Sequence, residues 1–332
     1  MDNIKLTLAS GDYDRIRPLW DGGVQVEGID LNVLRLPVEE IFFRMARFQD
    51  FDVSEMSLAS FLISKSKGTH NFTAIPAFPS KKFRFCDVYI NANSGIKRAE
   101  DLRGKRIGTP EYQMTACVWM RGIMEEFYGV KATEVEWYSG GSEKPGREER
   151  MHLELPPEFK VRHIAKDQTL LQMLKNNEID AIFTARVPTP FTRGEEWICR
   201  LWPNFKEVEQ DYYRKTGIFP IMHTVVLRED TYRKYPWAAK SIYKAYCDAN
   251  ELNMARIDAM AALPVTLPWF NYELDETRAL MGKDFWKYGL EPNRATIEKL
   301  MEYMKVQGLL DKDFAPAWEE LFAPNTLAFA GI

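Results

Sequence analysis

Apolar and polar residues alternate with a period of two over residues 4–9 and again over 29–34, where Gly28 introduces the run. That period predicts two strands with one buried face each. The period then lengthens. Ile41, Phe42, Met45 and Phe48 recur at helical spacing, so 38–47 reads as an amphipathic helix. A short strand over 51–56 and a helix over 57–63 follow, with Ser57 near the N-cap. Farther along, strands are predicted over 85–90, 105–108, 134–138, 179–183 and 221–228. Helices are predicted over 99–103, from about 109 to 128, over 169–176, and through most of the chain beyond Trp237. Strands alternating with helices predict an α/β fold.

The order of elements changes near residue 84, and the strand at 221–228 crosses back. Residues 1–84 and 228–332 therefore read as one discontinuous lobe and 92–220 as a second, joined by crossover strands at 85–91 and 221–227. In open α/β sheets ligands sit beyond the carboxyl ends of strands. Two lobes would present such edges to one cleft, the usual place for a ligand between domains.

Charge narrows the partners. The 44 basic and 48 acidic residues leave a net charge of −4. Neither nucleic acid nor an anionic membrane is expected as a partner, and an anionic ligand would need a local group of arginines. Residues 1–9 enter a strand pattern with no basic, apolar and small-residue leader, and no apolar run of about 18 residues occurs, so a cytoplasmic protein is expected. Cys86, Cys117, Cys199 and Cys247 form no C-x-x-C pair and read as buried free thiols, with a nucleophilic Cys117 as the alternative. His70, His152 and His163 stand in polar surroundings and read as surface residues.

His223 differs from them, because it sits in the apolar run Ile221-Met222-His223-Thr224-Val225-Val226. It reads either as a proton donor at the cleft or as a hydrogen-bonded hinge histidine. Asp52 and Glu55 belong to the short strand before a helix. Asp52 could face the cleft or cap a turn, and Glu55 could donate a proton if desolvated or serve helix capping. Ser57 follows them. The run Glu111-Tyr112-Gln113-Met114-Thr115 opens the long helix, where free N–H groups favour a carboxylate. Tyr112, Gln113 and Thr115 would bind there, whereas Glu111 would face phenol hydroxyls, act as the acid, or cap the helix. Arginine grips carboxylates bidentately, so Arg15 (beside Asp12 in the first loop), Arg44, Arg84 and Arg186 are candidates to hold a substrate. The glycine-rich stretch 139–146 lacks the lysine and threonine arrangement of a phosphate loop, and no H-E-x-x-H, H-x-H or serine elbow occurs.

Several longer stretches carry a resemblance. They are Gly11-Asp12-Tyr13-Asp14-Arg15, Glu39-Glu40-Ile41-Phe42-Phe43-Arg44-Met45 and Phe51-Asp52-Val53-Ser54-Glu55-Met56-Ser57-Leu58. Others are Gly108-Thr109-Pro110-Glu111-Tyr112-Gln113-Met114-Thr115-Ala116, the run from Thr216 to Val226, Leu267-Pro268-Trp269, and Met281-Gly282-Lys283-Asp284-Phe285-Trp286. Together, and in this order along nearly the whole chain, they resemble the 4,5-dihydroxyphthalate decarboxylase family. The resemblance implies a two-lobed type II periplasmic-binding-protein-like fold used for non-oxidative decarboxylation of a hydroxylated aromatic acid. It strengthens His223 as a catalytic candidate, beside Glu55 and Glu111. It implies a small aromatic carboxylate as partner and no organic cofactor, with a divalent metal and a homo-oligomer left open. One position departs: where the family leads us to expect His-Ser after the crossover arginine, Phe85-Cys86 follows Arg84. The alternative from another class is a non-catalytic solute-binding protein for aromatic carboxylates.

Overall fold

The computed structural model describes residues 2–69, 72–259 and 261–328, so His70 lies outside the described residues. Eleven strands are seen among them: β1 Ile4–Ser10, β2 Ile29–Arg35, β3 Val53–Ser57, β4 Phe72–Lys81, β5 Val88–Asn91, β6 Arg106–Thr109, β7 Glu136–Ser139, β8 Val161–His163, β9 Ala181–Phe183, β10 Ile198–Arg200 and β11 Ile221–Arg228. They form two sheets. The first has the order β2-β1-β3-β11-β4 and the second the order β10-β5-β9-β6-β7-β8. In the first sheet β1, β2 and β3 run parallel, and β11 lies antiparallel between β3 and β4. In the second β6, β7, β8 and β9 are parallel.

The α/β expectation is met, but the crossings differ from those read in the sequence. Residues 85–87 form a single helical turn, and β5 belongs wholly to the second sheet, paired with β9 and β10. β11 belongs wholly to the first. The chain therefore passes between sheets in the short stretches 82–87 and 217–220, and neither strand bridges them. β4 was not predicted, because Pro76 and Pro79 argue against a strand. Proline cannot donate to a ladder on both sides, and β4 is an edge strand, where it need not.

Three helices position the candidate site: α1 Val38–Phe48, α2 Leu58–Ser66 and α3 Thr115–Tyr128. Ser57 caps α2 by accepting from the Ser60 N–H at 3.4 Å. α3 starts at Thr115, so Glu111, Tyr112 and Gln113 lie in the turn before the helix. One apolar core runs from α1 and α2 through α3 to the helix Arg294–Val306 and the second sheet. A separate core lies between the first sheet and the long helix Pro236–Asp258. Hydrogen bonds such as Ser57–Thr115 join β3 to the start of α3, and the seam between them is polar.

Candidate active site

β3 is central in its sheet, and all five of its residues are buried. Glu55 is among them, fully shielded from solvent. A buried carboxylate is tolerated only where donors surround it. Oε1 accepts from the Ser10 hydroxyl and from the Gly11 N–H at 3.0 Å. Oε2 accepts from the Tyr13 hydroxyl at 3.3 Å and faces His223 Nδ1 at 3.2 Å. Sheet register explains the meeting. Val225 pairs with Glu55 and His223 with Ser57, so His223 is the diagonal neighbour of Glu55 on one face of the antiparallel pair.

The network also assigns the imidazole tautomer. Because Oε2 is an acceptor, Nδ1 carries the proton, and Nε2 is left as the basic nitrogen. The His223 side chain keeps 13% exposure. Burial lowers its pKa from 6.5. Glu55 opposes that shift, while the charges of Arg84 and Arg150 reinforce it. Phe42 stands edge-on to the imidazole, centroids 4.7 Å apart, and the Arg150 guanidinium lies 5.1 Å from the same ring.

Arg150 also borders a cavity of about 710 Å³ that opens between α1 and the carboxyl ends of the second sheet. Glu111, Arg147, Arg150, Thr184 and Arg186 line it. Its size suits a small aromatic acid. Glu111 is buried and clamped by Arg147 at 2.5 Å and Arg150 at 2.9 Å. Burial alone would raise its pKa, but the two guanidinium groups outweigh that and hold the carboxyl low. Arg150 Nη1 is a buried donor with no hydrogen-bond partner among the described residues. Arg147 and Arg186 reach Glu39 of α1 at 3.1 and 2.8 Å, which draws α1 against the second sheet. Ser57 meets Thr115 at 2.9 Å and Ser60 meets Gln113 at 3.3 Å along the same seam.

The structure thus brings Glu55, His223 and Arg84 into one neighbourhood, and Glu111 and Arg186 to the adjoining cavity. Other residues read from the sequence are employed elsewhere. Asp52 accepts from the Thr7 N–H at 2.9 Å and pairs with Arg228, just before β3 begins. Arg44 pairs with Asp50 and Glu40. Asp12 is exposed beside Arg17. Arg15 donates to the Pro79 carbonyl and is stacked between Tyr13 and Trp286. Ser57, Gln113 and Thr115 serve the seam. Tyr112 is buried beneath Arg121, 3.8 Å from its ring. The carboxylate expected before α3 is an internal one: Glu149 takes the Tyr112 N–H at 2.5 Å and Gln113 Nε2 at 3.0 Å. Glu111, low in pKa and doubly paired, is unsuited to donate a proton. Phe85 packs on Trp202 and Tyr212, and burial pushes the Cys86 thiol up to about 12. Burial likewise pushes Cys117 to about 11, which argues against a nucleophilic thiolate there.

Sequence reasoning missed Arg147, Arg150, Ser10 and Tyr13 as site residues. The run Arg147-Glu148-Glu149-Arg150 beside the glycine-rich stretch was the available signal, read only for phosphate binding. Among the described residues no group of three or more His, Cys, Asp or Glu side chains is placed to hold a metal ion, and no helix is long and apolar enough to cross a membrane.

No family profile matches the chain. Among solved structures it is similar to the periplasmic sulfonate-binding protein SsuA of Methylobacillus flagellatus, with a TM-score of 0.53 over 98% of this chain and 93% of that one. At 12% identity the likeness concerns the fold alone. It is 38% identical over 98% of both chains to the 4,5-dihydroxyphthalate decarboxylase of Comamonas testosteroni. It is 43% identical to that of Pseudomonas putida over 64% of this chain and 83% of the relative. The chain therefore belongs to the 4,5-dihydroxyphthalate decarboxylase family, built on a two-lobed periplasmic-binding-protein-like fold.

Proposed function

We propose that the protein is a carboxy-lyase that removes carbon dioxide from a hydroxylated aromatic dicarboxylate such as 4,5-dihydroxyphthalate, giving protocatechuate. The observation that carries this reading is near full-length kinship with named decarboxylases. The Glu55–His223 pair beside an arginine-lined cavity supports it.

Direct loss of carbon dioxide from an arene would leave an aryl carbanion. A ring hydroxyl para to the leaving carboxylate avoids it. His223 Nε2, a basic nitrogen, takes the phenol proton, and Glu55 stabilises the imidazolium on the Nδ1 side. The phenolate electrons move into the ring, and the carbon bearing the carboxylate takes the proton back from His223. The carbon–carbon bond then breaks. Its electron pair rearomatises the ring and carbon dioxide leaves. Arg150 Nη1 is suited to hold a carboxylate, with Arg84 adding positive charge near the imidazole. No step in this scheme calls on an organic cofactor.

The test is incubation of the purified protein with 4,5-dihydroxyphthalate. Release of carbon dioxide with stoichiometric protocatechuate is the expected result. Tight binding of the acid with no carbon dioxide would identify a solute-binding protein instead.

A further inference from the structure

Glu39 stands apart from the other acids of the cavity. It comes from α1, whereas the arginines it meets, Arg147 and Arg186, follow β7 and β9 of the second sheet. Its two oxygens are divided between them. Oε1 accepts from Arg147 Nη1 at 3.1 Å, and Oε2 meets Arg186 Nη2 at 2.8 Å. All three side chains line the cavity of about 710 Å³, together with Arg150. Glu111 is held differently. Its side chain is only 2% exposed, and its Oε1 takes Arg147 and Arg150 at 2.5 and 2.9 Å. Breaking that clamp would strand a buried carboxylate, so Glu111 stays in place. The Glu39 side chain is 31% exposed and that of Arg186 69%, and an ion pair so open to solvent is weak. Glu39 is therefore the acid that can leave.

We infer that Glu39 occupies the place of a substrate carboxylate. Arg147 and Arg186 form the subsite for the carboxylate that the product retains, and Glu39 releases them when a vicinal dicarboxylate binds. The inference rests on the decarboxylase reading above and names how its substrate is selected. Two carboxylates on neighbouring ring carbons need two cationic groups side by side. Arg147 and Arg150 are so placed, because both touch one oxygen of Glu111. Arg150 offers its buried Nη1 for one carboxylate, while Nη1 of Arg147 is engaged by Glu39. A ligand carboxylate and Glu39 cannot both take the same guanidinium N–H groups. A displaced Glu39 would also leave a like charge beside the ligand, which opposes binding. Glu39 thus sets the affinity for the second carboxylate, and its return to the arginines competes with the carboxylate of the product.

The experiment is calorimetry with phthalate and with benzoate. Phthalate has the vicinal carboxylates but no ring hydroxyl, so it binds without entering the reaction scheme. Benzoate has one carboxylate and needs Arg150 alone. Glu39→Gln keeps the size of the side chain and removes its charge. It should bind phthalate about 5-fold or more tighter than wild type, with a smaller gain for benzoate. Glu40→Gln removes the same charge one residue away, from a side chain paired with Arg44, and should show no gain. Arg186→Met should lose about 5-fold in phthalate affinity and keep its affinity for benzoate. Unchanged, weaker or undetectable phthalate binding by a folded Glu39→Gln overturns the inference. So does an equal gain for benzoate or in Glu40→Gln, which marks a general effect of charge. Should Glu39→Gln fail to fold, Arg186→Met decides, and unchanged phthalate affinity there overturns the inference. These readings need no turnover. Failure of the wild-type protein to release carbon dioxide from 4,5-dihydroxyphthalate is a separate outcome that removes the decarboxylase reading instead.

Discussion

Glu55 and His223 divide the work of one proton carrier. The carboxylate is fixed by Ser10, Gly11 and Tyr13, and the imidazole is left with a basic nitrogen and partial access. His223→Gln keeps a hydrogen-bonding group but cannot carry a proton at neutral pH. Its kcat should fall by about 10²–10⁴-fold while Kd for the acid changes little, as single-turnover and equilibrium measurements would show. The pH profile has a definite sign. A base must be neutral to work, and burial depresses its pKa, so activity should be lost as pH falls, with the acid limb of kcat/KM below 6.5. A limb above that value would contradict the assignment. Arg150 offers a second test at this scale. Losing a hydrogen bond to a charged group costs about 1.5–3 kcal/mol, so Arg150→Met should weaken binding of an aromatic dicarboxylate about 10–100-fold. Arg44→Ala, whose partners Asp50 and Glu40 lie outside the cavity, should leave it unchanged by calorimetry.

At the scale of elements, hydrophobic period was enough to find β1, β2 and α1, because each has one face more apolar than the other over several residues, and a continuous apolar run marked β11. It failed at β4, whose two prolines are permitted only by its edge position. Pairing between elements was not legible. Gly122 illustrates why a single small residue can decide it. Midway along α3, it lets the helix Arg294–Val306 approach until the Tyr303 ring lies against the α3 backbone, and an added Cβ would fall inside that ring. Gly122→Ala should therefore destabilise the protein despite alanine's better helix propensity, by about 1–3 kcal/mol as an overpacked core. Urea unfolding would show this, and a stabilised variant would mean that Tyr303 moves aside at little cost.

For the whole molecule, stability should carry the imprint of Glu149 in the seam before α3. Burial, then the nearby Glu111 charge, raises its pKa to about 6 from 4.5. The folded state therefore favours the protonated form. Relative to an untitratable side chain, stability is full below 4.5 and declines as pH rises through 6, then levels off. The shift corresponds to no more than about 2 kcal/mol. Comparing unfolding free energies of wild type and Glu149→Gln at pH 4.5 and 7.5 should show the variant gaining that much at the higher pH. A constant difference would place Glu149 in solvent.

The division between what was legible and what was not follows from the range of the interactions. Period, glycine stops and the Ser57 cap are local, so the chain alone determined an α/β fold, most strand positions and, through its longer motifs, the family. It also marked Glu55 and His223 separately, since a charged residue amid apolar strand neighbours stands out within a few positions. Their partnership was decided only in three dimensions. It depends on β11 returning antiparallel beside β3 in one register, and a slip of a single residue would turn His223 to the other face. The same holds for Arg147 and Arg150. Their neighbours in sequence are polar and ordinary, and only the folding of that loop onto Glu111 and α1 gives them a cavity to line, because electrostatic contacts act through space and leave no period in the chain.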